Sequence, residues 1–264
     1  MIQSYLDESG VHDGASVCVI AGYFGEKVDW GRFDSDWRIV FDEFKIPMAE
    51  FHATSWVRQR RYAPAVESLA TTIGHHKIYP VSVGLVVEHF NGCSLEDRKF
   101  LTGARVTDGR LITTGAPSKP YFMPFQQCLK RVAEYTGQGD KADFYFGLGR
   151  AFADYARILL KEIREHPESP FRERLGQDSY PLAKDTPGLQ AADLLAHLTY
   201  LDMQERVSKN SWDSSPSPLL RTCLVNARRG DDFFYYDDEC IEGTLAKARE
   251  ITGEWSASGL DRVH

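Results

Sequence analysis

The chain predicts an α/β fold: a mixed sheet flanked by helices, with a long insertion and a C-terminal extension. Three observations predict it. Short runs rich in β-branched and aromatic residues stand at 2–6, 16–24, 81–87 and 142–146, with the length and composition of strands. Segments of helical period lie between and after them. The order, strands first and then helices interleaved with strands, suits a sheet with helices packed on its faces. At 264 residues and 42% hydrophobic, the chain can bury a sizeable core, as one large domain or one domain with an insertion.

Ile2 to Leu6 reads as the first strand and Ser16 to Phe24 as the second, with a turn over Gly10 to Gly14. Trp30, Phe33, Trp37, Val40, Phe41 and Phe44 recur at helical spacing and mark an apolar face over 30–44. Residues 64–77 predict a second helix, and Val81 to Val87 a strand dominated by valine. Residues 91–118 carry Gly and Thr without clear periodicity and predict a long loop or insertion. A helix follows over 122–135, a strand over 142–146, and a helix over 151–165. Asp185, Thr186 and Pro187 start a helix that runs to about Val207, with a capping residue followed by proline at the first helical position. Ser208 to Pro218 reads as a linker, and the tail holds Phe233 to Tyr236 and one helix near 240–252. The boundaries are therefore a domain over 1–207 and, over 208–264, a linker and C-terminal helical extension packed on it.

The formal net charge is −7, which argues against broad binding to nucleic-acid phosphates. It leaves room for an enzyme whose acidic site is masked by divalent ions and flanked by local basic clusters. Such clusters occur at Arg58 to Arg61, Lys130-Arg131 and Arg228-Arg229, and each also fits an ordinary solvated surface. Five widely spaced cysteines have no zinc-ligand spacing; Cys18 and Cys128 sit among apolar residues and read as small core hydrophobes. No signal peptide or membrane-spanning run is visible, so a cytoplasmic protein with no membrane partner is expected. Phosphate-binding-loop, G-x-S-x-G and H-E-x-x-H signatures are absent.

Two acids stand where apolar residues would be expected. Asp7 and Glu8 end the first strand, and on a strand they point to opposite faces; the same Asp-Glu-Ser-Gly run also suits an exposed turn. In the late helix Gln190, Asp193 and His197 are spaced i, i+3 and i+7, forming one narrow polar stripe between apolar flanks. A helix apolar on both sides is largely buried, so that stripe must meet a polar cavity or a partner. Asp193 could equally pair with an arginine or cap a neighbouring loop.

The Tyr5-Leu6-Asp7-Glu8-Ser9-Gly10 strand and the Leu189-Gln190-Ala191-Ala192-Asp193-Leu194-Leu195-Ala196 helix together resemble the signature of the domain-of-unknown-function family numbered 3800, over about residues 1–205. That family belongs to the ribonuclease H-like superfamily. The resemblance implies a ribonuclease H-like fold, Asp7 and Asp193 as metal ligands with Glu8 second to Asp7, and Mg²⁺ or Mn²⁺ as cofactor. Glu50 and His52 match an acid-or-histidine element after the first long helix, and Gln190 and His197 would position substrate. The implied activity is divalent-metal-dependent nuclease or related phosphodiester cleavage, with nucleic acid as partner. One departure stands out: Gly147 occupies the strand end where the family usually has an Asp, and Asp154 is the candidate for a relocated ligand. An impaired ribonuclease H-like module that binds nucleic acid or a protein is the alternative.

Overall fold

In a computed structural model the described residues are 1–12, 14–103, 105–107, 110–112, 118–137, 139–147, 151–165, 169, 171–228 and 232–260. β1 (Ile2–Ser9) and β2 (Val17–Glu26) form a hairpin, followed by α1 (Lys27–Phe44), a short turn of helix α2 (Ala53–Trp56), and α3 (Ala63–His75). β3 (Ile78–Val86) leads into α4 (Val87–Gly92), α5 (Leu95–Gly103) and a small ribbon of β4 (Arg105–Thr107) and β5 (Arg110–Ile112). Then come α6 (Phe122–Tyr135), β6 (Ala142–Phe146), α7 (Ala151–Glu165), β7 (Leu175–Ser179) and the long α8 (Pro187–Lys209). α9 (Pro218–Cys223), β8 (Phe233–Tyr236) and α10 (Asp238–Leu260) complete the chain.

The main sheet has six strands in the order β7-β6-β1-β2-β3-β8. β2 runs antiparallel to both β1 and β3, with Asp7 opposite Ala21, whereas β6 runs parallel to β1 with Leu6 beside Phe146. β7 and β8 add parallel strands at the two edges. The expected mixed sheet flanked by helices is therefore present.

Alternation along the central strands sends side chains into two layers. Tyr5, Val19, Ala21 and Tyr23 pack with residues of α1, α3, α8 and α9, while Leu6, Ile20, Phe24, Val81 and Val83 pack with α6 and α7. Cys18 and Cys128 are fully buried, as their apolar neighbours suggest, and burial pushes both thiols well above the usual range. A third cluster joins Leu85, Phe90, Leu101, Ile241 and Leu245, so α4, α5 and α10 close one end of the sheet.

Two glycines permit close approach where it matters. Gly188 lets α8 settle on β1: a Cβ there would lie 2.6 Å from the Tyr5 ring. Gly10 turns out of β1 with φ +73°, and its Cβ position is 2.2 Å from the Val17 carbonyl oxygen, so only glycine fits.

Several expectations need correction. The described part of the 91–118 insertion is not a plain loop, because Ser94 caps α5: its hydroxyl accepts the Asp97 N–H at 3.1 Å and donates to the Asp97 carboxylate at 2.8 Å. Residues 104, 108–109 and 113–117 of that insertion lie outside the described residues. The tail is more than a helical extension packed on the domain, because Phe233–Tyr236 is the sheet's sixth strand. Arg206, buried in α8, anchors this tail. It pairs with Asp202 at 2.6 Å and donates to the Trp212 and Ser214 carbonyls, while the Tyr235 hydroxyl donates to Asp202 at 2.7 Å.

Candidate functional site

Asp7 lies near the end of β1, 5% exposed, with one carboxylate oxygen accepting the Glu8 N–H at 3.0 Å. Its face of the sheet is the one covered by α8, since Tyr5, two residues earlier, packs against Gly188. β1 runs through both acids, so Glu8, also buried, is directed to the opposite layer. The structure does not bring Glu8 to Asp7's side of the sheet.

Parallel pairing of β1 with β6 carries Gly147, the residue after β6, alongside Asp7. A Cβ at Gly147 would stand 3.9 Å from the Asp7 Oδ1, with no other described atom within 4 Å. Gly147 thus adjoins Asp7, with room for a Cβ among the described residues. Asp143, by contrast, starts β6 and is engaged elsewhere: its carboxylate accepts the Gln177 N–H at 2.9 Å and ties β7 to the sheet. Asp154 lies in α7, and its side chain falls outside the described residues.

The polar stripe of α8 meets a partner rather than an open cavity. Gln190, 2% exposed, accepts the Trp37 indole N–H at 2.8 Å and donates its two amide hydrogens to the Met48 and Lys184 carbonyls at 3.0 and 3.2 Å. One turn on, Asp193 Oδ2 accepts the Ala53 N–H at 2.9 Å, filling one of the orphan donors at the start of α2. His197 follows, with Nδ1 3.4 Å from the Thr54 hydroxyl. Successive stripe positions thus fasten successive residues of the 48–54 segment. Of the two residues expected to position substrate, Gln190 has both amide hydrogens engaged by the protein, and His197 is 2% exposed beneath that segment.

Asp193 has one capping role but keeps a path to solvent, with its side chain 18% exposed. His52 stands beside it, 59% exposed, with Nδ1 3.7 Å from Asp193 Oδ2. Glu50 has its side chain exposed on the short 3-10 turn Met48–Glu50; its backbone N–H donates to the Pro47 carbonyl at 2.9 Å and its carbonyl accepts the Trp56 indole N–H at 3.1 Å. Burial lowers the His197 pKa to about 4, with the nearby Arg58 guanidinium and the His52 ring acting in the same sense. His197 is therefore a neutral imidazole near pH 7. Its Nε2 is buried with no hydrogen-bond partner among the described residues.

Thr54, Trp37 and Arg58 belong to this region and were not singled out from sequence as neighbours of the stripe. The available signal was that a polar stripe on a buried helix needs as many polar partners, and the nearest unassigned polar run after the first long helix is 50–60. Among the described residues, no group of three or more His, Cys, Asp or Glu side chains is placed to hold one ion, and no helix is long and apolar enough to cross a membrane. No family model matches the chain, and no curated protein is detectably similar to it.

Proposed function

We infer that this chain is a divalent-metal-dependent nuclease, or a related phosphodiester-cleaving enzyme, of ribonuclease H-like type, acting at the end of β1 under α8. The observation that carries the reading is the placement of Asp7. A nearly buried carboxylate sits at a strand end, beside the end of a parallel neighbour, on the face covered by the helix that bears Asp193. Carboxylates are rarely buried without compensation. The mixed sheet with helices on both faces supports the same reading, at the level of fold analogy.

The donor set fits Mg²⁺ or Mn²⁺ in kind, since carboxylate oxygens are the hard ligands these ions prefer. Asp7 and Asp193 would hold the ion, which when bound supplies charge neutralisation at a phosphoryl oxygen and a more acidic water.

The chain's own residues do the rest. Asp193 attracts the Nδ1 side of His52 and so favours the tautomer with its proton there, which leaves Nε2 facing solvent as a proton acceptor. His52 is therefore placed to take a proton from an attacking water or to return one to a leaving oxygen. The amide of Ala53 holds Asp193 in that attitude, and Gln190 and His197 fix the segment that carries both.

A second reading is favoured by Gly147. Its neighbour is Asp7, so the residue type there removes a carboxylate from the cluster itself, which suits a module that binds without cutting. Incubation of labelled single- and double-stranded oligonucleotides with the protein and Mn²⁺ separates the two. Cleavage that disappears in Asp7→Asn and Asp193→Asn supports the enzyme. Intact substrate in every arm, with Mn²⁺ present, would leave the binding module.

A further inference from the structure

We propose that the Arg58–Arg61 segment is the phosphate-binding face of this site, taking the backbone of a single-stranded nucleic acid and passing it across His52 and Asp193. The path across those two residues rests on the function proposed above; the binding face stands on the observations below.

Charge is the first. The chain carries a net −7, yet residues 51–66 contain Arg58, Arg60 and Arg61 and no Asp or Glu at all. All three arginines are exposed. None of them makes an ion pair among the described residues, whereas several other exposed cations do. Lys130 faces Glu134, Lys161 faces Glu165, Lys209 faces Glu205 and Arg249 faces Asp97. Arg228, in another basic cluster, lies flat on the Tyr79 ring at 3.5 Å.

Preorganisation is the second. Trp56 is 2% exposed, and Tyr62 stacks on it with ring centroids 4.3 Å apart and planes 8° from parallel. Arg61 lies over the Tyr62 ring at 4.5 Å, and its Nε donates to the Gln59 side chain at 3.0 Å. The guanidinium is thus steadied by uncharged groups, with no bond to its terminal nitrogens among the described residues. A fixed guanidinium fork suits a phosphate, because less side-chain entropy is lost when the bond forms.

Position is the third. The same segment is fastened to α8 through Ala53 and Thr54, next to Asp193 and His197, and Arg58 is near enough to His197 to influence its protonation. Along the chain the segment is flanked by Glu50 and Glu67, both exposed. Three arginines in so short a run suit the one phosphate backbone of a single strand. Three arginines neutralising two or three phosphates give a salt slope of about −2 for a single strand.

The test is anisotropy titration of fluorescein-labelled oligothymidylate and oligouridylate of about 16 nucleotides, without metal and at several salt concentrations. The expected result is binding by the wild type with a log–log salt slope near −2. Arg58→Ala/Arg60→Ala/Arg61→Ala should weaken it at least tenfold and flatten the slope. Lys130→Ala/Lys161→Ala/Arg249→Ala, which removes the same charge from exposed paired sites, should bind as wild type does. Thermal melts of both triple variants check folding. Equal losses in the two triple variants, tighter binding of a duplex of the same length, or no binding by wild type would each overturn the proposal. Binding without Mn²⁺-dependent cleavage would leave the proposal standing and overturn the nuclease reading instead.

Discussion

Asp7 and Gly147 sit side by side at the ends of two parallel strands, and that adjacency decides what one substitution can do. Among the described residues a Cβ added at Gly147 meets only the Asp7 carboxylate, at ordinary contact distance. Gly147→Asp should therefore fold and add a third carboxylate to the site. Calorimetric titration with Mn²⁺ should show affinity raised by about tenfold, as expected when a hard-ion site gains a charged oxygen ligand. Unchanged affinity would mean that the end of β6 does not face the ion. The burial of Asp7 was legible in the sequence, because a carboxylate ending an apolar strand is a local feature, whereas its adjacency to Gly147 is set by the parallel pairing of β1 with β6. The roles of Gln190 and His197 were not legible, because their partners Trp37, Met48 and Thr54 lie more than a hundred residues away, and helical spacing fixes a face without naming what covers it.

At the scale of elements, α8 and the 48–54 segment act as one unit. Gln190 supplies one of the bonds that join them, to the Met48 carbonyl, and two more that tie the same helix to Trp37 of α1 and to the Lys184 carbonyl. Replacing it by leucine would leave a buried indole N–H and two carbonyls without those partners. Each such group costs about 1–3 kcal/mol, and solvent reaching some of them lowers the sum. Gln190→Leu should destabilise the fold by about 2–4 kcal/mol in urea denaturation and speed amide exchange in 48–57. Exchange unchanged there would show that the segment is held by other contacts. α8 itself was legible, since Pro187, the apolar flanks and the polar stripe all point to one buried helix. β7 was not: Leu175–Ser179 contains Gly176 and Asp178, and it is held by Asp143 and by Arg164, whose guanidinium reaches the Gly176 carbonyl and Asp178. β8 was hidden for another reason, since four consecutive aromatic residues have no alternation and their pairing with β3 is set by the fold.

For the whole molecule, His197 links the site to stability against acid. Its pKa is near 4 when folded, against an ordinary 6.5 when unfolded. Between those values the unfolded chain binds more protons, so stability falls as pH drops below about 6.5 and the loss levels off below about 4. A gap of this size is worth on the order of 3 kcal/mol. Urea denaturation at pH 7 and pH 5 should show that loss developing in wild type and a flatter profile in His197→Leu. Identical slopes in the two proteins would assign the acid sensitivity to other groups.

The same scale holds the central claim, that two acids from opposite ends of the chain, on β1 and α8, form one divalent-ion site. Mn²⁺ titration by calorimetry of wild type, Asp7→Asn and Asp193→Asn tests it most directly. The account predicts one saturable site in wild type, weak because only two carboxylates supply it, and its loss in each single variant. Wild-type uptake of Mn²⁺ in both variants, or none in any of the three, would contradict it.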